Sequence, residues 1–132
     1  MTKQFINPQE LFAPQGFTQV VTASSGKMIF ISGQVSFNEK AELIGKGDLR
    51  AQTTQTFENL RTALKAAGAD FKDVVKMNYY VVGLRLEEVA IIREIRNKFL
   101  PVENPPASTL VGVEALVIRD LLIEIEAVAV IS

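Results

Sequence analysis

The amino-acid sequence predicts an α+β fold in which a mixed β-sheet carries two helices packed on one face. Two segments place apolar residues three and four positions apart, the mark of an amphipathic helix, and each is flanked by β-rich runs. The stretch Leu121–Val130 instead alternates with a period of two, as a strand does. The resulting order is strand-strand-helix-strand-helix-strand-strand, and right-handed crossovers put both helices on the same side of the sheet. At 132 residues, with 48% hydrophobic and 22% charged composition, residues 1–132 read as one domain with a sizeable core.

The segment through Gly16, with Pro8 and Pro14, reads as a loop-like arm with room for a short strand around Lys3–Asn7. Gly16–Thr22 and Met28–Val35 read as strands joined by a hairpin turn at Ala23-Ser24-Ser25-Gly26-Lys27. Residues 36–47, with Asn38, Gly45 and Gly47, form a loop, and Asp48 is a good N-cap for a helix over Leu49–Ala67. In that helix Leu49, Thr53, Phe57, Leu60 and Leu64 line one side, and Gly68 closes it. Val74–Val82 is a strand with Val75, Met77, Tyr79 and Val81 on its apolar face. Leu86–Phe99 is the second helix, with Val89, Ile92, Ile95 and Phe99 facing inward, and Pro101, Pro105 and Pro106 end it. Ser108–Val113 and Leu121–Val130 complete the set as strands, with a connection ending at Arg119–Asp120.

With helices on one side, the other sheet face is left open. It carries Ser32, Gln34, Lys76, Asn78, Glu124 and Glu126 among Phe30, Tyr80, Val82, Val128 and Val130. That mixture is too apolar for water and too polar for a dry core, and an oligomer with sites between subunits accounts for it. Glu124 and Glu126 interrupt an apolar strand, which is costly unless their face meets water, a partner or a pocket. A half-solvated sheet face, a pocket wall, and a Glu124–Lys76 pair across the sheet all satisfy that demand.

The missing residue types exclude whole chemistries. There is no cysteine and no histidine, so disulfides, thiolate nucleophiles, Ser-His-Asp triads and the usual zinc sites are absent. Proton transfer must rely on a carboxylate, Lys, Tyr, water or the backbone. No acidic cluster has the spacing of a carboxylate metal site, so no metal and no cofactor are expected. A net charge of -1 without a basic stripe points away from nucleic acid and from membrane surfaces. No apolar run reaches the ~18 residues that span a bilayer. The N-terminus lacks the apolar core of a signal peptide, which makes cytoplasmic the default location.

Several motifs in fixed order then carry a resemblance. They are Gly16-Phe17, Ile31-Ser32-Gly33-Gln34, Leu64-Lys65-Ala66-Ala67-Gly68-Ala69, Phe71-Lys72-Asp73-Val74-Val75-Lys76, Pro106-Ala107 and Ile123-Glu124-Ile125-Glu126-Ala127. Through them nearly the whole chain resembles the RidA/YjgF superfamily. The resemblance implies a chorismate-mutase-like fold assembling as a homotrimer, with small-molecule clefts between subunits. It implies hydrolysis of reactive enamines and imines to oxo compounds and ammonia. By position it implies that Glu124 holds or activates water, that Gly33 offers a backbone amide flanked by Ser32, and that Phe17, Ser108 and Leu110 bound the substrate.

The chain departs from the deaminase pattern at three of these positions. Where the pattern has Pro-Ala-Arg, the chain has Pro106-Ala107-Ser108, and a hydroxyl does not replace a guanidinium fork on a carboxylate. Losing a charge-assisted hydrogen bond of ~1.5–3 kcal/mol weakens a 2-imino acid by roughly ten- to a hundredfold. Phe17 stands where the pattern has tyrosine and Leu110 where it has cysteine. A substrate other than a standard 2-imino acid is therefore expected. The alternative is a non-catalytic small-metabolite-binding or regulatory protein, for which Ser108, Thr109 and the Gly33 amide offer neutral hydrogen bonds.

Overall fold

The computed structural model describes residues 1–132 and contains six strands and two α-helices. The first helix, Leu49–Ala66 (α1), starts where Asp48 accepts a hydrogen bond from the Ala51 amide at 3.0 Å, and it is followed by Gly68 at φ +79°. Phe57, Leu60 and Leu64 are fully buried along its inner side. Gln52 is buried beside them and is satisfied completely. Its Nε2 donates to the carbonyls of Gly45 and Asp120, and its Oε1 accepts from the Leu122 amide. One side chain thus ties the loop before α1 to the connection before the last strand.

The main sheet is built from Lys27–Gln34 (β3), Val74–Val82 (β4), Ala107–Val113 (β5) and Ile123–Ile131 (β6), in the order β3-β6-β4-β5. β4 and β5 are parallel and the other pairs antiparallel, so the sheet is mixed. Strand β6 lies between β3 and β4. Period-two alternation holds along it, with Ile123, Ile125, Ala127 and Ala129 buried and Glu124, Glu126 and Val128 half-buried on the opposite face. Both helices cover the first of these faces, with α1 against β3, β6 and the second helix, Leu86–Arg96 (α2). The core centres on an aromatic group in which Phe57 stacks on Phe99 at 5.0 Å and meets Phe71 at 6.0 Å and Tyr79 at 6.3 Å. Burying one such ring stabilises the fold by roughly 1.5–3 kcal/mol.

Four expectations need correction. The segment Ala23–Lys27 is not a hairpin between paired strands. Val20–Ala23 (β2) pairs instead with Lys3–Ile6 (β1) in a separate antiparallel ribbon. The cause lies at Thr18, whose amide donates to the Pro106 carbonyl at 3.1 Å and whose hydroxyl donates to that of Pro105. The expected strand Gly16–Thr22 is therefore divided between the β5 end and the β1 ribbon. Next, Val74 and not Val75 is the buried residue at the start of β4, because the ladder to β6 shifts between Val74 and Lys76. Third, α2 ends at Arg96 rather than Phe99; tight turn bonds such as Phe99 N to Arg96 O follow it and deliver the Phe99 ring to the core. Finally Val130, expected on the open face, is buried. No helix is long and apolar enough to cross a membrane.

Candidate functional site

On the open face the register of β4 against β6 sets Tyr80 opposite Glu124 and Asn78 opposite Glu126. The Tyr80 hydroxyl donates to Glu126 Oε1, and Asn78 Nδ2 donates to the same oxygen at 3.3 Å. That bond to Glu126, followed by desolvation and the nearby charges of Glu126 and Glu124, holds the Tyr80 phenol above its ordinary pKa. Lys76 is occupied elsewhere, donating to Thr109 Oγ1 at 3.0 Å, so the Glu124–Lys76 pair does not form. Glu124 is half-buried, with no side-chain hydrogen bond and no ion pair.

What Glu124 touches is Gly33. A Cβ on Gly33 would lie 1.9 Å from Glu124 Oε2, so only glycine admits the carboxylate there. The β3–β6 ladder steps from Ile31↔Ala127 to Gln34↔Ile125, a bulge that takes Ser32 and Gly33 out of regular pairing. A carboxylate with free lone pairs therefore rests against an irregular backbone, which is chemically a place for water or a polar ligand. Phe30, 72% exposed, lies beside Ser32 on this face.

The other expected residues form a second group. Phe17, Ser108 and Leu110 line a cavity of about 320 Å³ together with Tyr79, Arg93 and Arg96. The β4–β5 register explains the division. Ser108 sits beside Met77 and Leu110 beside Tyr79, both of which point toward the helices. Ser32, Gly33 and Glu124 thus lie at the open face, while Phe17, Ser108 and Leu110 lie under α2. A single chain does not bring the two groups together. The cavity at Ser108 is also not neutral. Burial, and then the charge of Arg93, lowers the Arg96 pKa from its usual range. No group of three or more His, Cys, Asp or Glu residues is clustered to hold a metal ion.

With this geometry in place, the family model described as Endoribonuclease L-PSP matches residues 8–131. The chain belongs to this RidA/YjgF family. A RutC family protein of Pyrococcus horikoshii is 36% identical over 86% of this chain and 85% of its own length. The 2-iminobutanoate/2-iminopropanoate deaminase of Dermatophagoides farinae is 30% identical over 81% of this chain and 80% of its own length. Among solved structures, the Rid family protein YyfB of Yersinia pestis, of unknown function, superposes with a TM-score of 0.92 at 40% identity, covering 99% of this chain and 100% of that one. The fold of this RidA/YjgF member is accordingly the family's own.

Three residues at these places escaped the sequence reading: Tyr80, Arg93 and Arg96. Tyr80 was visible only as an aromatic on a mixed face. Arg93 and Arg96 did leave a signal, since they follow Val89 by four and seven positions and so share its side of α2. Charged residues in a last helical turn are, however, ordinarily explained by the helix dipole alone.

Proposed function

We propose that the chain is a RidA-like hydrolase of reactive enamines or imines, acting without a cofactor in small-molecule clefts between the subunits of a homotrimer. Water adds across the C=N bond and ammonia leaves, so one C=N and one water become one C=O and one NH3. Glu124 holds the water and moves its proton, and Ser32 with the Gly33 backbone bounds the same space. The observation that carries this reading is the contact between Gly33 and a Glu124 carboxylate that has no partner of its own. Imines hydrolyse spontaneously, so placing water and assisting proton transfer is most of what a site must do. Membership of the family and the similarity to a 2-iminobutanoate/2-iminopropanoate deaminase support the reaction class. The separation of Ser32, Gly33 and Glu124 from Phe17, Ser108 and Leu110 supports a cleft completed by a second copy, whose β5 side meets the first copy's open face. Ser108 removes the strand-borne guanidinium, so the substrate is one other than a standard 2-imino acid. A ribonuclease reading is disfavoured by the net charge of -1 and the absence of histidine.

The test is the decay of 2-iminobutanoate, generated from threonine by a dehydratase and trapped as its semicarbazone, with wild type, Glu124→Gln and Ser108→Arg. The expected result is acceleration by wild type or by Ser108→Arg, abolished in each background by Glu124→Gln. Removing a group that moves a proton costs typically 10²–10⁴-fold. Activity that survives Glu124→Gln, or no activity in either background, overturns the hydrolase. The second outcome favours the alternative, a non-catalytic metabolite-binding or regulatory protein, which Ser108 and Phe17 at the substrate positions already suit.

A further inference from the structure

Arg96 reaches from the last turn of α2 into the cavity bounded by Phe17, Ser108 and Leu110, and Arg93 lines the same cavity one turn earlier. Its guanidinium lies against Gly16, where a Cβ would come within 2.1 Å of Nη2. Gly16 adopts φ +79°, so the glycine just before Phe17 both makes the turn and leaves room for the guanidinium. No carboxylate oxygen lies within the 4.0 Å of an ion pair from either arginine. The one side-chain hydrogen bond that Arg96 donates is a long one, 3.4 Å, to the neutral Asn97 Oδ1. Arg96 is half-buried, and taking a cation out of water without a counter-charge is unfavourable. The carbonyl end of α2 offsets part of that cost. Most of the five donors of the guanidinium fork are still left for something else.

We infer that Arg96, with Arg93 beside it, grips the anionic group of a small organic carboxylate in the cavity that Phe17, Ser108 and Leu110 bound. The strand position, Ser108, contributes a hydroxyl to the same cavity. An anion grip carried by a helix thereby stands in for a grip carried by the strand. Arg96 and Arg93 are then specificity-determining residues, selecting ligands that carry a carboxylate over neutral isosteres. The identity of the site rests on the hydrolase reading above, but the recognition of an anion does not require turnover.

The experiment is therefore a binding one on the whole protein. Titration calorimetry compares 2-oxobutanoate, a stable carboxylate, with butan-2-one, which keeps the carbonyl and lacks the charge. The expected result is binding of the acid and none of the ketone. Arg96→Gln weakens the acid about ten- to a hundredfold, the range of one lost charge-assisted hydrogen bond, and Arg93→Gln by a smaller factor. Ser108→Asp, which leaves both arginines and their packing intact, blocks the acid by supplying a carboxylate of its own. That variant keeps the test decisive if Arg96→Gln fails to fold. Equal binding of ketone and acid, no binding of the acid by wild type, or wild-type affinity in Ser108→Asp overturns the inference. Binding through Arg96 by a protein that hydrolyses no imine leaves it standing and overturns the hydrolase alone.

Discussion

Gly33→Ala probes the contact on which the hydrolase reading rests. An alanine Cβ would sit 1.9 Å from Glu124 Oε2, 2.6 Å from its Cδ and 2.8 Å from its Cγ, against an ordinary contact that begins near 3.4 Å. β3 pairs with β6 on either side of Gly33, at Ile31 and Gln34, and the Glu124 side chain is the more flexible of the two groups, so it is what gives way. Its oxygen must retreat by about 1.5 Å, and a misplacement of ~1 Å in a catalytic group costs on the order of a hundredfold in rate. A hundredfold corresponds to about 2.7 kcal/mol of lost transition-state stabilisation. Folding moves the other way, because alanine in a strand is favoured over glycine by roughly 0.5–1 kcal/mol. The assay pairs semicarbazone-trapped imine decay with a thermal melt of the same sample. The expected outcome is a rate near that of Glu124→Gln with an unchanged or raised melting temperature. A wild-type rate in Gly33→Ala refutes Glu124 as the group that holds water.

Two further outcomes follow from other parts of the structure. Phe30 is 72% exposed on the open face, so Phe30→Asp sets a charge on the face that the proposed trimer would cover. Light scattering should find wild type at three times the chain mass of 14.5 kDa and the variant at one; wild type already at 14.5 kDa removes the trimer. Burial raises the Tyr79 phenol above its ordinary pKa of 10.0, so the folded chain keeps above pH ~10 a proton that the unfolded chain loses. That contribution is intact below pH ~10, and stability then declines by up to about 1.4 kcal/mol per pH unit. Tyr79→Phe flattens that decline in urea titrations at rising pH, and an unchanged slope in the variant would show that other groups cause it.

How far the sequence was legible depended on distance along the chain. Asp48, Gly68 and the stripe Phe57, Leu60, Leu64 were readable because capping and helical periodicity are settled within a few residues. Alternation around Glu124 was readable for the same reason. Choice of strand partner was not: Val20–Ala23 is equally a strand whether it pairs with Lys3–Ile6 or with Lys27–Gln34, and Thr18 decides through carbonyls nearly ninety positions away, at Pro105 and Pro106. Gln52 looked like an ordinary helical residue, although it joins Gly45, Asp120 and Leu122. Glu124 stood out as a carboxylate in an apolar strand, and Gly33 was a candidate through the resemblance alone. That Ser108 faces α2 rather than the open face was hidden, since it follows from pairing Ser108 with Met77, a matter of register between strands joined by a helix. Arg93 and Arg96 acquired their cavity only through that same register.

The central place of β6 governs when this protein can fold. Ile123–Ile131 leaves the ribosome after β3, β4 and β5, yet it fills the gap between two strands made much earlier. Until it emerges, β3 and β4 each hold a naked edge and an apolar surface with nothing to pair against, the condition in which nascent chains associate wrongly. Synthesis at ~5–20 residues per second prolongs that exposure over the whole interval in which α2 and β5 are being added. The sheet closes in one late event, by insertion rather than by growth from an edge. For this architecture the strand made after its three neighbours is the keystone of the main sheet.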